Sequence, residues 1–397
     1  MAAKLVGGMM SVNLNASNLE AIIAQRIKDA GGWIPFDQFM GAALYEPQLG
    51  YYESQAVFGQ QGDFVTGAQL GPWLALGYAD LIEWGWKQLG SPSEWVLLEQ
   101  GGGTGVLLAD VLAELHRKGM APAKTIAVET SEHMRQRQQS HYQSLGLDIL
   151  SVKTVAEVGE IENCLMICNE LPDAFPVRCF SWKKRHLIER GVAHSQERFH
   201  WQDGSVIEEG LIDIDDKLQG EWPDGYTSEW NPNLASWQME VAGMIKRGFL
   251  FCVDYGYSQQ EYYRPQRMQG TLMGHRGHQV VEDVLAQPGS CDITAHIDFT
   301  TLNRTGELQG LNGCCFMSQG GWLAQTPSVQ RLVERLAGDG SVESVQQLAQ
   351  AKQMLMPFGM GETFKLFMQA VNIQNAVPAY LERFNRFKDL KPSKGVA

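Results

Sequence analysis

Downstream of about residue 90 the apolar positions fall into short runs, each closed by an acid, a glycine or a polar cluster. Between the runs lie longer stretches whose apolar residues recur three and four apart. Such runs predict strands buried on both faces, and the intervening period predicts helices packed on them. Strands are expected near Trp95–Glu99, Thr125–Glu129, Asp148–Val152, Cys164–Cys168, Phe249–Asp254, Gly313–Ser318 and Thr363–Gln369. Together they predict an α/β fold, a mostly parallel, doubly wound sheet of about seven strands. Residues 1–90 look mainly helical, with a middle rich in glycine and aromatics from Tyr45 to Thr66. Leu70, Trp73, Leu74, Gly77, Leu81, Ile82 and Trp84 stand at helical spacing, which suits a core-facing helix better than an aromatic ligand cage. Residues 177–222 alternate in strand fashion between the fourth and fifth runs and predict an inserted β-hairpin. The expected division is an N-terminal helical extension (1–90), a Rossmann-like domain (91–375) carrying that insertion, and a C-terminal tail (376–397).

The first strand opens directly into Glu99-Gln100-Gly101-Gly102-Gly103-Thr104-Gly105, and Val106 to Leu115 continues as an amphipathic helix. Glycines at 101, 103 and 105 permit a tight turn and close backbone approach to a ligand at the helix N-terminus. An acid at the mouth of that turn would repel a pyrophosphate. Glu99 therefore favours a cationic cofactor, S-adenosylmethionine, over a dinucleotide. The second strand ends at Glu129, where a carboxylate that accepts from ribose hydroxyls belongs. A packing loop that merely needs tight curvature is the competing explanation of the glycines.

Composition narrows the remaining classes. Apolar residues make up 44% and charged residues 19% of the 397, which is globular, and no run approaches the roughly 18 apolar residues that span a bilayer. Thirty-two Lys and Arg against 45 acids give a net charge of −13, which argues against a nucleic-acid partner. The basic cluster Lys183-Lys184-Arg185-His186 is expected to be a solvated face. None of the seven cysteines has Cys-x-x-Cys spacing, so buried, reduced thiols are expected and a metal site is not. The first residues lack a signal-peptide core and the arginines of a transit sequence, so a cytoplasmic location is expected.

Several separated blocks carry a family resemblance: Gly50-Tyr51-Tyr52, Gly62-Asp63-Phe64-Val65-Thr66, the turn at 99–105, Asn169-Glu170-Leu171-Pro172-Asp173-Ala174-Phe175-Pro176, Val253-Asp254-Tyr255-Gly256, Gly270-Thr271-Leu272, Asp292 to Phe299, and Met360 to Lys365. In this order they resemble the MidA-like family of S-adenosylmethionine-dependent methyltransferases across nearly the whole chain. The resemblance implies a class I methyltransferase fold, with Glu99, Gly101, Gly103, Thr104, Gly105 and Glu129 as cofactor residues. It also places Asp63 at the cofactor, in a loop that closes over it. The family includes a mitochondrial complex I assembly factor that methylates an arginine, so a protein acceptor, of the kind found in respiratory complex I, is implied too. After Thr66 the chain has Gly67-Ala68-Gln69 where the family usually has a small residue, Pro and Glu, so an acidic role at Gln69 is lost.

Asn169, Glu170 and Asp173 follow the fourth strand, where this fold presents groups to a methyl acceptor, and Asp254 ends the fifth. Carboxylates there can grip a planar guanidinium through paired hydrogen bonds. Capping of the next turn is the alternative for Asn169 and Asp173. His296 and Asp298 are weaker acceptor-side candidates. Two other functions remain open from sequence: a non-catalytic assembly factor that keeps the cofactor pocket, and a nicotinamide-dependent oxidoreductase.

Overall fold

The computed structural model describes residues 18–53, 70–277, 279–374 and 377–391. They form two compact units. The larger takes the described residues from 70 to Pro172, Leu234–Ser258 and those from Phe299 onward; the smaller takes those up to 53, Asp173–Asn233 and Gln259–Asp298.

The larger unit is built on seven strands: β1 (Val96–Gln100), β2 (Lys124–Val128), β3 (Leu150–Val152), β4 (Cys164–Asn169), β5 (Gly248–Tyr257), β6 (Asn312–Ser318) and β7 (Phe364–Val371). Their order across the sheet is β6-β7-β5-β4-β1-β2-β3. The five strands from β5 to β3 run parallel, while β7 is antiparallel to both β5 and β6. Each of the seven expected runs is one of these strands. Helices α1 (Trp73–Gln88), α2 (Val106–Arg117) and α3 (Glu132–Ser144) belong to the same unit. The apolar run of α1 is core as expected: Trp73 and Tyr78 are fully buried, and Gly77 lets the Trp322 ring approach, since a Cβ there would lie 2.6 Å from it.

Strand order reverses between β1 and β4. The connection from β1 leads to β2 on one side, and β4 lies on the other, so the loops leaving the two strands diverge. In open α/β sheets that divergence is where ligands bind, at the carboxyl ends of the strands. Both Glu99 and Glu170 sit at this edge.

The smaller unit holds more β-structure than an inserted hairpin. Arg178–Lys183, His186–Ser195 and Arg198–Val206 form consecutive antiparallel pairs, and Trp33–Pro35 and Thr227–Trp230 complete a five-stranded sheet. Lys184 and Arg185, both at positive φ, make the tight turn of the first hairpin, and the basic cluster is exposed as expected. Phe36, Phe39, Val192 and Ile293 are among the residues of this unit's separate apolar core.

Candidate active site

The glycine turn is tight for several distinct reasons. Gly101, Gly103 and Gly105 all have positive φ, at 72°, 52° and 81°. Added Cβ atoms at Gly101 and Gly105 would meet Leu171 and Tyr142 at 2.7 Å, and one at Gly102 would overlap the Glu99 carboxyl. At Gly103 alone among these four, nothing among the described residues lies within 4 Å. Gly103 thus presents bare backbone to open space, which close approach of a ligand requires. Gly105 caps α2 in the left-handed conformation, its N–H donating to Gly102 O at 2.8 Å. Thr104 is half-buried between them.

Three buried polar atoms cluster around this turn. Glu99 is 1% exposed, and its Oε2 has no hydrogen-bond partner among the described residues. The same holds for Gln138 Oε1 and Tyr142 OH, both on α3. Gln138 Nε2 donates to Gly103 O at 3.0 Å, so α3 fixes the turn from beneath. Burial pushes the Glu99 carboxyl up to about 8, and the negative charge of Glu129 adds to the effect. Burial, with Glu99 and Glu129, also raises the Tyr142 hydroxyl. Desolvated acceptors without donors are costly, so their retention here fits a polar, cationic ligand.

Glu129 is half-buried just beyond β2. Its Oε1 accepts from Ser131 N at 3.0 Å, and Ser131 caps α3, so the carboxylate is oriented by the start of that helix.

At the end of β4, Asn169 Nδ2 donates to Glu170 Oε1 at 3.0 Å. Tyr78 from α1 donates to Cys168 O at 3.3 Å and reaches Asn169 Oδ1 at 3.5 Å. Glu170 itself has φ of 55°, a left-handed conformation that costs a non-glycine residue about 1–2 kcal/mol. Its N–H donates to Val253 O at 2.9 Å, which holds the strained residue to β5. Strain of this kind concentrates at functional positions.

The other expected residues are placed differently. Asp254 is fully buried in β5, accepts from Tyr255 N at 2.8 Å and lies in register opposite Lys365. Asp173 belongs to the smaller unit, where it is 4% exposed and its carbonyl accepts from Ala295 N. There it raises a carboxyl that sequence reasoning did not single out. Asp292 is pushed up to about 7 by burial and by the charge of Asp173, although Tyr52 OH donates to its Oδ1 at 2.8 Å. His296 is half-buried, and its N–H donates to Thr271 Oγ1. Asp63 and the rest of its loop lie outside the described residues. Gln138 and Tyr142 also went unpredicted. Their signal was the four-residue spacing of Met134, Gln138 and Tyr142, the buried face of an otherwise polar helix.

An acid that leads into a glycine turn at the switch point of an open, mostly parallel sheet is the arrangement of a class I methyltransferase. Residues 79–317 match the model of a family described as S-adenosyl-L-methionine-dependent methyltransferases, and the chain belongs to that family. It is similar to the Drosophila melanogaster protein named protein arginine methyltransferase NDUFAF7 homolog, mitochondrial, at 25% identity over 89% of this chain and 84% of that one. The Mus musculus protein arginine methyltransferase NDUFAF7, mitochondrial, is 26% identical over 86% of this chain and 82% of its own length. Among solved structures, a superfamily relative from Burkholderia thailandensis bound to S-adenosyl-homocysteine is 29% identical with a TM-score of 0.85, covering 95% of this chain and 97% of that one. The cofactor is S-adenosylmethionine, and the oxidoreductase alternative is set aside.

Proposed function

We propose that this methyltransferase acts on an arginine side chain of a protein acceptor, with Glu170 and Asn169 presenting the guanidinium to the methyl group. The relatives named above as protein arginine methyltransferases support the acceptor class. The observation that carries the residue assignment is the strained, hydrogen-bonded Glu170 at the carboxyl end of β4.

The sulfonium cofactor supplies an activated methyl group for in-line displacement. What remains for the chain is to hold the acceptor nitrogen on that axis and exclude water. A guanidinium has a pKa above about 12, so it enters charged. A carboxylate at Glu170 pairs with two of its N–H groups, aims the third nitrogen, and takes up or relays the departing proton as the new bond forms. Gly103 and the α2 N-terminus, Glu99 and Glu129 hold the cofactor in this reading.

The test is incubation of the purified protein with methyl-labelled S-adenosylmethionine and lysate from a strain lacking it, followed by mass spectrometry of labelled proteins. A methylated arginine in a defined protein is expected. Label on lysine, on an amino terminus or on a small molecule would overturn the acceptor class, and absence of any transfer would favour a non-catalytic, cofactor-binding role.

A further inference from the structure

Two fully buried glutamates of this protein solve the same problem in opposite ways. In the smaller unit, Glu229 is 1% exposed and accepts from Tyr262 OH at 2.6 Å, Thr271 N at 2.8 Å and Thr271 Oγ1 at 2.5 Å. Three donors to one oxygen offset part of the cost of burial, which still raises this carboxyl above its ordinary value. Glu99 has the same burial, yet its Oε2 lies against the Gly102 backbone with no donor among the described residues. The titratable groups that face it make ionisation harder still. Glu129 comes from the end of β2, Tyr142 from α3 and Tyr78 from α1, and none of them brings a positive charge. Its neighbours in the sheet, Ala127 and Ile167, are apolar.

From this arrangement we infer that Glu99 is a protonated carboxylic acid in the free protein and becomes the counter-ion of the cofactor's α-ammonium by releasing its proton to solvent on binding. The inference rests on the assignment of the cofactor to the glycine turn. In the free protein the neutral acid avoids an uncompensated buried charge. In the complex the ammonium supplies the missing donor and charge, the Glu99 O–H bond breaks, and the proton leaves to buffer. No covalent bond forms. The burial that pushes Glu99 up to about 8 is consistent with a neutral acid at pH 7. Cofactor affinity accordingly rises with pH until that value is passed. The product S-adenosylhomocysteine keeps the ammonium and lacks the sulfonium, so it drives the same proton release.

The experiment is isothermal calorimetry of the full chain with S-adenosylmethionine and with S-adenosylhomocysteine at pH 7, in buffers of different ionisation enthalpy. The slope of observed enthalpy against buffer enthalpy counts protons. Release on the order of 0.5–1 proton is expected with either ligand, and a slope near zero in Glu99→Gln. No release in the wild-type protein, or undiminished release in Glu99→Gln, would overturn the inference; the latter would mean that the ligand's own amino group or another residue deprotonates. Release confined to S-adenosylmethionine would overturn the ammonium as the partner. Should Glu99→Gln fail to fold, infrared difference spectra of the wild-type protein decide: loss of a protonated-carboxyl stretch on adding S-adenosylhomocysteine is expected, and an unchanged band there overturns the proposal. Failure of the underlying site assignment shows separately, as undiminished binding heat in Gly103→Val.

Discussion

Gly103→Val separates the ligand's space from the protein's own packing. No heavy atom of the described residues lies within 4 Å of a Cβ at this position, so there is room for a side chain among them. The folding cost comes from the backbone, since φ is 52° and the left-handed region disfavours a Cβ by about 1–2 kcal/mol, somewhat more for a β-branched residue. A domain of this size tolerates that loss. The ligand does not, because the valine occupies the open space that bare backbone at 103 leaves for it. A loss of at least about 100-fold in affinity, roughly 2.7 kcal/mol, is expected. Gly102→Ala provides the contrast. Its Cβ would overlap the Glu99 carboxyl, so it should perturb the free protein itself. The assay pairs chemical denaturation of the free variants with calorimetric titration of S-adenosylhomocysteine. A folded Gly103→Val that binds with wild-type affinity would remove the cofactor from this turn.

Glu129→Ala should weaken cofactor binding by about 1–3 kcal/mol, measured by calorimetry, because a charged acceptor is lost; unchanged affinity would take the ribose role from this residue. The Asp292 carboxyl is raised from 3.8 to about 7, so the folded protein binds more protons than the unfolded chain between those values and this group's contribution to stability falls as pH rises through the window. Asp292→Asn should flatten that segment of a denaturation-midpoint profile, and a profile of unaltered slope would show that Asp292 is ionised throughout.

The sheet was legible because its strands are buried on both faces and announce themselves as short apolar runs bounded by turns. Each of the seven runs became a strand within a few residues of its expected limits. The smaller unit was not legible in the same way. Trp33–Pro35 pairs with residues 191–193, and Thr227–Trp230 pairs with residues 178–181, so its five-stranded sheet depends on contacts between distant segments that no local pattern encodes. Pairing of that kind puts the strands of the expected hairpin in the middle of a larger sheet. The strand-end positions of Glu99 and Glu129 and the left-handed backbone of Gly101, Gly103 and Gly105 were readable because an apolar run closed by an acid and a cluster of glycines constrains local conformation. Asn169, Glu170 and Asp173 stand within five residues of one another, yet Asn169 and Glu170 belong to one unit and Asp173 to the other. Asp292 stands in one of the resemblance blocks, but its raised carboxyl depends on a neighbour that sequence separation hides, here Asp173.

In the proposed mechanism the Glu170 carboxylate acts on the acceptor rather than on the cofactor. Single-turnover methyl transfer by Glu170→Gln to the acceptor protein, alongside a cofactor titration of the same variant, measures that most directly. Glutamine keeps the shape and removes the charge, so transfer should fall at least about tenfold, roughly 1.4 kcal/mol of transition-state stabilisation, while cofactor affinity stays near wild type. Wild-type transfer rates in Glu170→Gln, or a loss explained wholly by weaker cofactor binding, would contradict it.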